Sequence, residues 1–436
     1  MYIALPTDLV YAKVSDKRLS MPIDTSTPSN DENVERVVLE EIISRVRKSK
    51  DPIILADACA IRHFVVSETH ELVDKSGLPV FASPMGKTAV DEQHPQYGGI
   101  YVGDMTPPKV RDRVQQADCV LSIGALLSDF NTGSFSYRLP KHATIELHSE
   151  HILIGYARYD GVAMKPLLPK ISAALEADRK RREQTLATVP RMSNNALPSP
   201  EAEAEATGDF IRQDLSIISH SWFWPRVGQF FKKGDQIICE TGTSSFGMLD
   251  VQFPSGACFE AQVLWGSIGW SVGATLGVAL AAREDKLGKV CLFVGDGSLQ
   301  LTVQEVGTMI REGLAPILFV LSNDGYEIER QIHGPQRSYN DIPPWNHSLL
   351  LDFFNGRPHP DAKGAQSHQT DRPAPHKTCY YAVKTKQELD LLLDNQDFVR
   401  APEQGIIQLV EVFMKRGDAP RALRQQAAAT RSANNY

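Results

Sequence analysis

Two stretches decide the fold: Lys289-Val-Cys-Leu-Phe-Val-Gly-Asp-Gly-Ser298 and Pro316-Ile-Leu-Phe-Val-Leu-Ser-Asn-Asp-Gly325. Each is an uninterrupted apolar run that ends in glycine and small polar residues. Runs without polar alternation are strands buried on both faces, which means a parallel sheet covered by helices. In such sheets ligands collect beyond the carboxyl ends of the strands. Asp296 and Asn323 lie 323 − 296 = 27 residues apart, a separation that one crossover helix (303–312) fills. If the two strands are neighbours, both side chains enter one crevice. Paired oxygen donors there suit Mg²⁺, which takes one or two protein oxygens together with phosphate and water. Gly295, Gly297 and Gly325 allow close backbone approach to a diphosphate, and a helix opening at Ser298 turns N–H groups toward anions. Taken singly, Gly-Asp-Gly and Asn-Asp-Gly read as strand-to-helix turns. Their occurrence at the ends of successive strands is what favours a site. The pattern has no Gly-Lys-Ser/Thr, and Gln300 stands where a dinucleotide fingerprint needs its third glycine.

The same alternation extends outward in both directions. Around the decisive strands lie a helix over 221–233, a strand over 236–240, a strand over 380–383, a helix near 386–394 and a strand over 405–413. An earlier set comprises strands at 52–57, 78–82, 119–124 and 143–147 with helices near 67–76 and 107–116. The fold class is therefore α/β, with two doubly wound parallel sheets. The expected division is 20–180 for the first unit, 181–209 for a linker, 210–416 for the second unit and 417–436 for a tail. The linker is read from Pro190, Pro198, Pro200 and the Glu/Ala alternation. The basic run Arg179-Lys-Arg-Arg-Glu183 reads as a solvated helix end rather than a nuclear signal. Residues 356–377 read as a Pro- and His-containing surface loop, in which His359, His368 and His376 lack metal-ligand spacing.

The chain has 436 residues, with 46 Lys and Arg against 53 Asp and Glu, for a formal charge of −7. No basic stripe for nucleic acid follows from that balance. Six cysteines without a C-x-x-C pair read as reduced, buried small hydrophobes of a reducing compartment, and the cytoplasm is the default. The 22 residues 261–282 carry no charge. They are read as a soluble helix rather than a membrane span, with Gly269, Gly273 and Gly277 forming a smooth ridge for close helix approach.

Several segments together resemble the pyruvate decarboxylase family of thiamin diphosphate enzymes, its fungal members especially. They are Gly295-Asp-Gly-Ser-Leu-Gln300, Asn323-Asp-Gly-Tyr-Glu-Ile-Glu-Arg-Gln-Ile-His-Gly334, Glu240-Thr-Gly-Thr-Ser-Ser-Phe-Gly247, Val263-Leu-Trp-Gly-Ser-Ile-Gly269, Pro84-Met-Gly-Lys-Thr-Ala89, Asp91-Glu-Gln-His-Pro-Gln-Tyr-Gly-Gly99 and Gly124-Ala-Leu-Leu-Ser-Asp-Phe-Asn-Thr-Gly-Ser-Phe135. The resemblance covers the chain apart from the linker and the 356–377 insert. It implies that Asp296, Asn323 and the Gly325 carbonyl hold Mg²⁺, that Gly295, Gly297, Ser298, Thr243 and Thr241 lie against thiamin diphosphate, and that Ile268 props that cofactor in a bent shape. It implies that Glu329 is the active-site acid; burial beside an anionic substrate would raise its pKa. The implied reaction is non-oxidative, fermentative decarboxylation of a 2-oxo acid, pyruvate to acetaldehyde and CO₂. The first unit would be the family's non-catalytic middle domain.

The resemblance also implies a domain ahead of the middle one, of which residues 1–19, with a strand at 2–10, read as a remnant. In the family that domain supplies a glutamate that protonates the cofactor ring and a pair of adjacent histidines, and none of the 12 histidines here adjoins another. The chain is thus expected to be N-terminally incomplete and poorly active alone. Homodimers or homotetramers are implied. An indolepyruvate- or phenylpyruvate-type decarboxylase and a catalytically impaired partner of a longer paralogue remain alternatives; an acetolactate synthase is disfavoured for want of a flavin site. Cys59, in Asp57-Ala-Cys-Ala60, reads as a buried thiol, with substrate regulation as the sharper alternative.

Overall fold

The computed structural model describes residues 4–26, 28–179, 195–207, 209–354, 356–358 and 377–434. Its first sheet contains β1 (Pro52–Ala56), β2 (Val80–Ala82), β3 (Tyr97–Ile100), β4 (Cys119–Ile123), β5 (Thr144–Leu147), β6 (His151–Ile154) and β7 (Ala157–Asp160). They are ordered β3-β2-β1-β4-β5-β6-β7. Pairing is parallel from β3 to β5, while β6 and β7 add as an antiparallel edge, a departure from the all-parallel expectation. β7 is short, largely exposed and polar, so no apolar run announces it. The helices on this sheet carry ordinary start and stop chemistry. Asp31 caps Glu32–Lys48 by accepting from the amides of Asn33 and Val34, and Val66–Ser76 stops at Gly77, whose φ is 66°.

The second sheet contains β8 (Gln236–Cys239), β9 (Cys258–Ala261), β10 (Val290–Gly295), β11 (Ile317–Ser322), β12 (Arg357–Pro358), β13 (Lys377–Val383) and β14 (Ile407–Phe413). The order is β12-β13-β14-β11-β10-β8-β9, parallel throughout. Phe293 on β10 and Phe319 on β11 stack with centroids 4.7 Å apart, at the centre of a core that also holds Phe223, Phe230 and Phe253. Because successive connections leave β8 in one direction and β10 in the other, the strand order reverses between β8 and β10. That is where an open α/β sheet forms its crevice.

Several expectations need correction. Residues 4–10 form no strand; the stretch is exposed, with one turn of 3₁₀ helix at Thr7–Leu9, and residues 1–3 lie outside the described residues. The uncharged 261–282 stretch is not one helix. It comprises the end of β9, a loop turned by Gly266 (φ 59°) and Gly269 (φ 81°), and then the helix Trp270–Asp285. No described helix is long and apolar enough to cross a membrane. Of the linker, 180–194 lies outside the described residues, whereas Pro200–Thr207 is a helix anchored by buried Glu203, which accepts from Lys386 Nζ at 2.6 Å. The basic run beyond Arg179 and most of the 356–377 insert, with its three histidines, also lie outside. None of the six cysteines is in a disulfide, but only Cys119, Cys239 and Cys291 are buried; Cys59 and Cys379 are intermediate and Cys258 is exposed.

The two sheets are joined by a buried polar seam. Lys87, wholly buried, donates to both Glu92 carboxylate oxygens (2.9 and 3.0 Å) and to the Val251 carbonyl (2.7 Å). Glu92 accepts in turn from the Phe253 amide at 2.9 Å, and the Lys87 ammonium lies 4.1 Å from the Phe253 ring centre. The helix Arg421–Asn434 crosses the same seam. Arg421 reaches the Met105 carbonyl (2.7 Å) and Asp250 (3.0 Å), while Gln426 reaches Ser134 (2.8 Å).

Candidate active site at the ends of β8, β10 and β11

The crevice of the first sheet, between β1 and β4, is filled by its own side chains. Asp57 accepts from the amides of Ala58 (2.6 Å) and Leu126 (3.0 Å), from Asn131 Nδ2 (2.9 Å) and from the Ser83 hydroxyl. A side chain at Gly124 would strike the Cys59–Ala60 backbone at 2.4 Å, so the walls already touch. Burial raises the Asp57 carboxyl and the nearby Cys59 thiol, which disfavours the reactive thiolate.

The second sheet is arranged differently. β10 and β11 are hydrogen-bonded neighbours, with Gly295 opposite Leu321, so Asp296 and Asn323 do meet beyond adjacent strands. Asp296 Oδ1 accepts the Gly297 amide at 2.8 Å, and Oδ2 accepts the Asn323 amide at 3.0 Å. The Gly325 amide lies 3.3 Å from both oxygens. Burial outweighs these amides and pushes the Asp296 carboxyl up to about 6. The Asn323 side chain is only 3% exposed, yet its Oδ1 has no partner in the protein. An orphaned buried carbonyl costs roughly 1–3 kcal/mol unless a ligand satisfies it. The loop around it is closely built. Gly325 has φ 117°, and a Cβ there would meet the Asn340 carbonyl at 2.3 Å, whereas a Cβ on Gly295 would meet nothing within 4 Å. Among the described residues no group of three or more His, Cys, Asp and Glu side chains forms a metal cluster; the donors here are one carboxylate, one amide and main-chain oxygens.

At the end of β8, Glu240 is buried and its carboxyl raised by that burial. It accepts from the Thr241 amide (2.9 Å) and from the Ser271 hydroxyl (2.6 Å), which fixes the start of the Trp270–Asp285 helix. Thr241 Oγ1 donates to the Ser267 carbonyl at 2.7 Å and so holds the loop that presents Ile268. Thr243 opens the next helix and is buried, as is Ser298 in the helix Asp296–Thr302.

Thr241, Ile268 and Glu329 line one cavity of about 250 Å³ that opens to solvent. Its other walls are mostly apolar, with Phe246, Phe259 and Trp265 from the second unit and Pro84 and Phe130 from the first. Asp296, Ser298, Asn323 and Thr243 are not on that wall. Glu329 does not meet the expectation of a buried carboxyl. It is 44% exposed and lies 3.4 Å from His333 one turn along the helix Glu327–His333. The sequence reading also missed Phe130 and Pro84, whose approach depends on the seam between the units, and Glu240, whose partner is 31 residues away.

Comparison with known proteins converges on one group. The family model described as "Thiamine pyrophosphate enzyme, central domain" matches residues 39–177, and "Thiamine pyrophosphate enzyme, C-terminal TPP binding domain" matches residues 240–354. A pyruvate decarboxylase of Aspergillus fumigatus is 45% identical over 435 residues, covering 100% of this chain and 70% of the relative. Pyruvate decarboxylase isozyme 1 of Saccharomyces cerevisiae is 43% identical over 436 residues, covering 100% of this chain and 71% of the relative. The chain belongs to the pyruvate decarboxylase family of thiamin diphosphate enzymes. Among solved structures, benzoylformate decarboxylase from Polynucleobacter necessarius superposes with a TM-score of 0.61 at 16% identity, over 92% of this chain and 68% of that one. At that identity the likeness speaks for the fold alone. For a pyruvate decarboxylase family member the residues fit the group's cofactors: the unpartnered Asn323 Oδ1 beside the Asp296 carboxylate suits a hard cation, and the open space at Gly295 suits a diphosphate.

Proposed function

We propose that this chain catalyses non-oxidative decarboxylation of a 2-oxo acid, pyruvate to acetaldehyde and CO₂, with thiamin diphosphate and Mg²⁺. The observation that carries the reading is the buried, unpartnered Asn323 Oδ1 next to Asp296 at the ends of the adjacent strands β10 and β11, in a chain 43–45% identical to pyruvate decarboxylases throughout.

Asp296, Asn323 and the Gly325 carbonyl hold the metal, and Gly295, Gly297 and Ser298 give the diphosphate close access to main chain. Thr241 and Thr243 flank the cofactor, and Ile268, 39% exposed at the cavity, supplies the apolar support for its rings. Thiamin diphosphate, when bound, supplies the electron sink for loss of CO₂. The protein's own part is positioning, exclusion of water by the apolar walls, and proton delivery. Glu329, on the cavity wall, is the residue that would serve as the proton donor toward a bound substrate there. The unit 20–180 acts as the non-catalytic middle domain, in keeping with its filled crevice, and 210–416 as the diphosphate-binding domain.

The natural assembly is a homodimer or homotetramer working in the cytoplasm on a fermentative route. Support comes from the exposed ridge of Gly273 and Gly277, where an added Cβ meets nothing within 4 Å, and from Trp265, 80% exposed beside the cavity. Light scattering during gel filtration reads the mass. The aromatic cavity wall favours one second reading, an aromatic 2-oxo acid as substrate. Supplying pyruvate and phenylpyruvate in parallel to the purified chain with Mg²⁺ and thiamin diphosphate separates the two by product. Release of neither aldehyde by a preparation that binds the cofactor counts against both and favours the catalytically impaired partner of a longer paralogue.

A further inference from the structure

The helix that carries Glu329, Glu327–His333, is fastened by two buried charges. Glu327 and Arg330, each 1% exposed, approach to 3.5 Å. The Arg330 guanidinium spends its donors mainly on main chain. Nη1 donates to the Asn323 carbonyl (3.3 Å), and Nη2 to the Asp324 carbonyl, to the Asn340 carbonyl (3.3 Å) and to Asp341 (2.9 Å). The Asn340 carbonyl also takes the Tyr326 amide at 3.0 Å and closes the space beside Gly325. One rigid fork thus grips the loop 323–325 by its carbonyls, leaving the Asn323 side-chain oxygen unpartnered.

Glu327 ties the same helix to a distant part of the chain. Its Oε2 accepts the Gly417 amide at 3.0 Å and its Oε1 accepts Gln331 Nε2 at 2.7 Å. Arg416, just before Gly417, pairs with Asp341 at 2.8 Å. The segment 415–418 leads into the Arg421–Asn434 helix across the seam between the two units. An apolar pair would hold a helix down without the desolvation cost of two buried ions. A planar, multi-donor cation is needed only where several fixed oxygens must be set together.

We propose that Arg330 and Glu327 are positioning residues, linking the oxygen-donor loop 323–325, the helix bearing Glu329 and the segment 415–418 into one body. Arg330 sets the loop's main-chain conformation, and Glu327 docks the C-terminal segment against the helix. The functional consequence rests on the cofactor reading above; the mechanical coupling does not.

Amide hydrogen exchange on the ligand-free full chain tests the coupling without the cofactor. Arg330→Met is expected to speed exchange in 323–326 and 416–418 on the order of tenfold, the scale of one charge-assisted hydrogen bond, while β10 stays protected. Glu327→Gln, which keeps the shape, is expected to speed 416–418 and leave 323–326 nearer to wild type. Unchanged exchange at 323–326 in Arg330→Met overturns the proposal. Should that variant open the whole second sheet, Arg330→Lys decides, since it keeps charge and loses the fork: local acceleration supports the proposal and its absence overturns it. Equilibrium dialysis with Mg²⁺ and thiamin diphosphate then reads the consequence. Uptake by wild type with at least tenfold weaker uptake by Arg330→Met supports coupling to the cofactor site, and equal uptake overturns that coupling. A wild type without uptake defeats the functional reading and leaves the exchange result standing.

Discussion

Asn323 donates its backbone amide to the Asp296 carboxylate at 3.0 Å across the β10–β11 junction, while its own side-chain carbonyl, buried beside that carboxylate, has no partner. The main chain therefore holds the two donors together before any ligand arrives. Replacing Asp296 by Asn keeps the shape and removes the charge. Mg²⁺-dependent uptake of thiamin diphosphate, read by titration calorimetry, is expected to weaken at least about tenfold. Asn323→Leu removes the orphaned oxygen and is expected to weaken uptake likewise, with thermal stability kept or raised because a buried unsatisfied group is gone. Undiminished uptake in both variants would remove the ground for the metal site.

Glu329 and Ile268 line the cavity while remaining partly exposed, so neither carries much of the fold. Glu329→Gln is expected to lower turnover by roughly 10²–10⁴-fold, the usual worth of a positioned acid, while Tm stays within the small range of surface changes. Ile268→Ala is expected to lower turnover with Tm likewise near wild type. Steady-state kinetics alongside a melting curve separates a site role from a folding role. A large Tm loss with proportionate activity loss would contradict this assignment.

How legible all this was depended on the range of the interaction. Strands such as β1, β10 and β11 declare themselves because five consecutive apolar residues need cover on both faces. β3, with the sequence Tyr-Gly-Gly-Ile, and the exposed β7 carry no such pattern and depend on neighbouring strands for their pairing. The 27-residue spacing of Asp296 and Asn323 was readable because a single crossover connects neighbouring strands. The exposure of Glu329 was not, since it depends on which elements close the cavity. Nor was the role of Lys87: its carboxylate partner is five residues on, but its carbonyl partner at Val251 lies 164 residues away.

That seam makes its own prediction. Lys87→Met strands the Glu92 carboxylate in a buried place and is expected to destabilise the protein by about 3–5 kcal/mol, the cost of breaking a buried ion pair from one side. The double variant Lys87→Met, Glu92→Gln is expected to recover part of that loss, since no uncompensated charge remains. Denaturant unfolding of both variants measures the difference. A double variant no more stable than the single one would mean that lost packing against Phe253, rather than the stranded charge, dominates.

Two buried residues, joined through the main-chain amide of one, should pull stability in opposite directions with pH. Burial raises the Asp418 carboxyl to about 6, and burial lowers the His220 imidazole to about 3, with the His220 amide donating to Asp418 at 2.7 Å. Asp418 keeps its proton in the folded chain where the unfolded chain has lost it. It therefore subtracts stability above about pH 6, and the penalty fades as pH falls toward 4. His220 stays neutral in the folded chain where the unfolded imidazole is charged, so it begins to subtract stability as pH falls below about 6.5 and goes on doing so toward 3. Asp418→Asn keeps an acceptor for the His220 amide and removes the first penalty. The variant is expected to melt about 2–6 °C above wild type at neutral pH. It should match wild type near pH 4, so its stability falls more steeply in acid because only the His220 slope remains. Melting curves of both proteins across that range check the crossing. A gap independent of pH would mean that packing, not the buried proton, separates them.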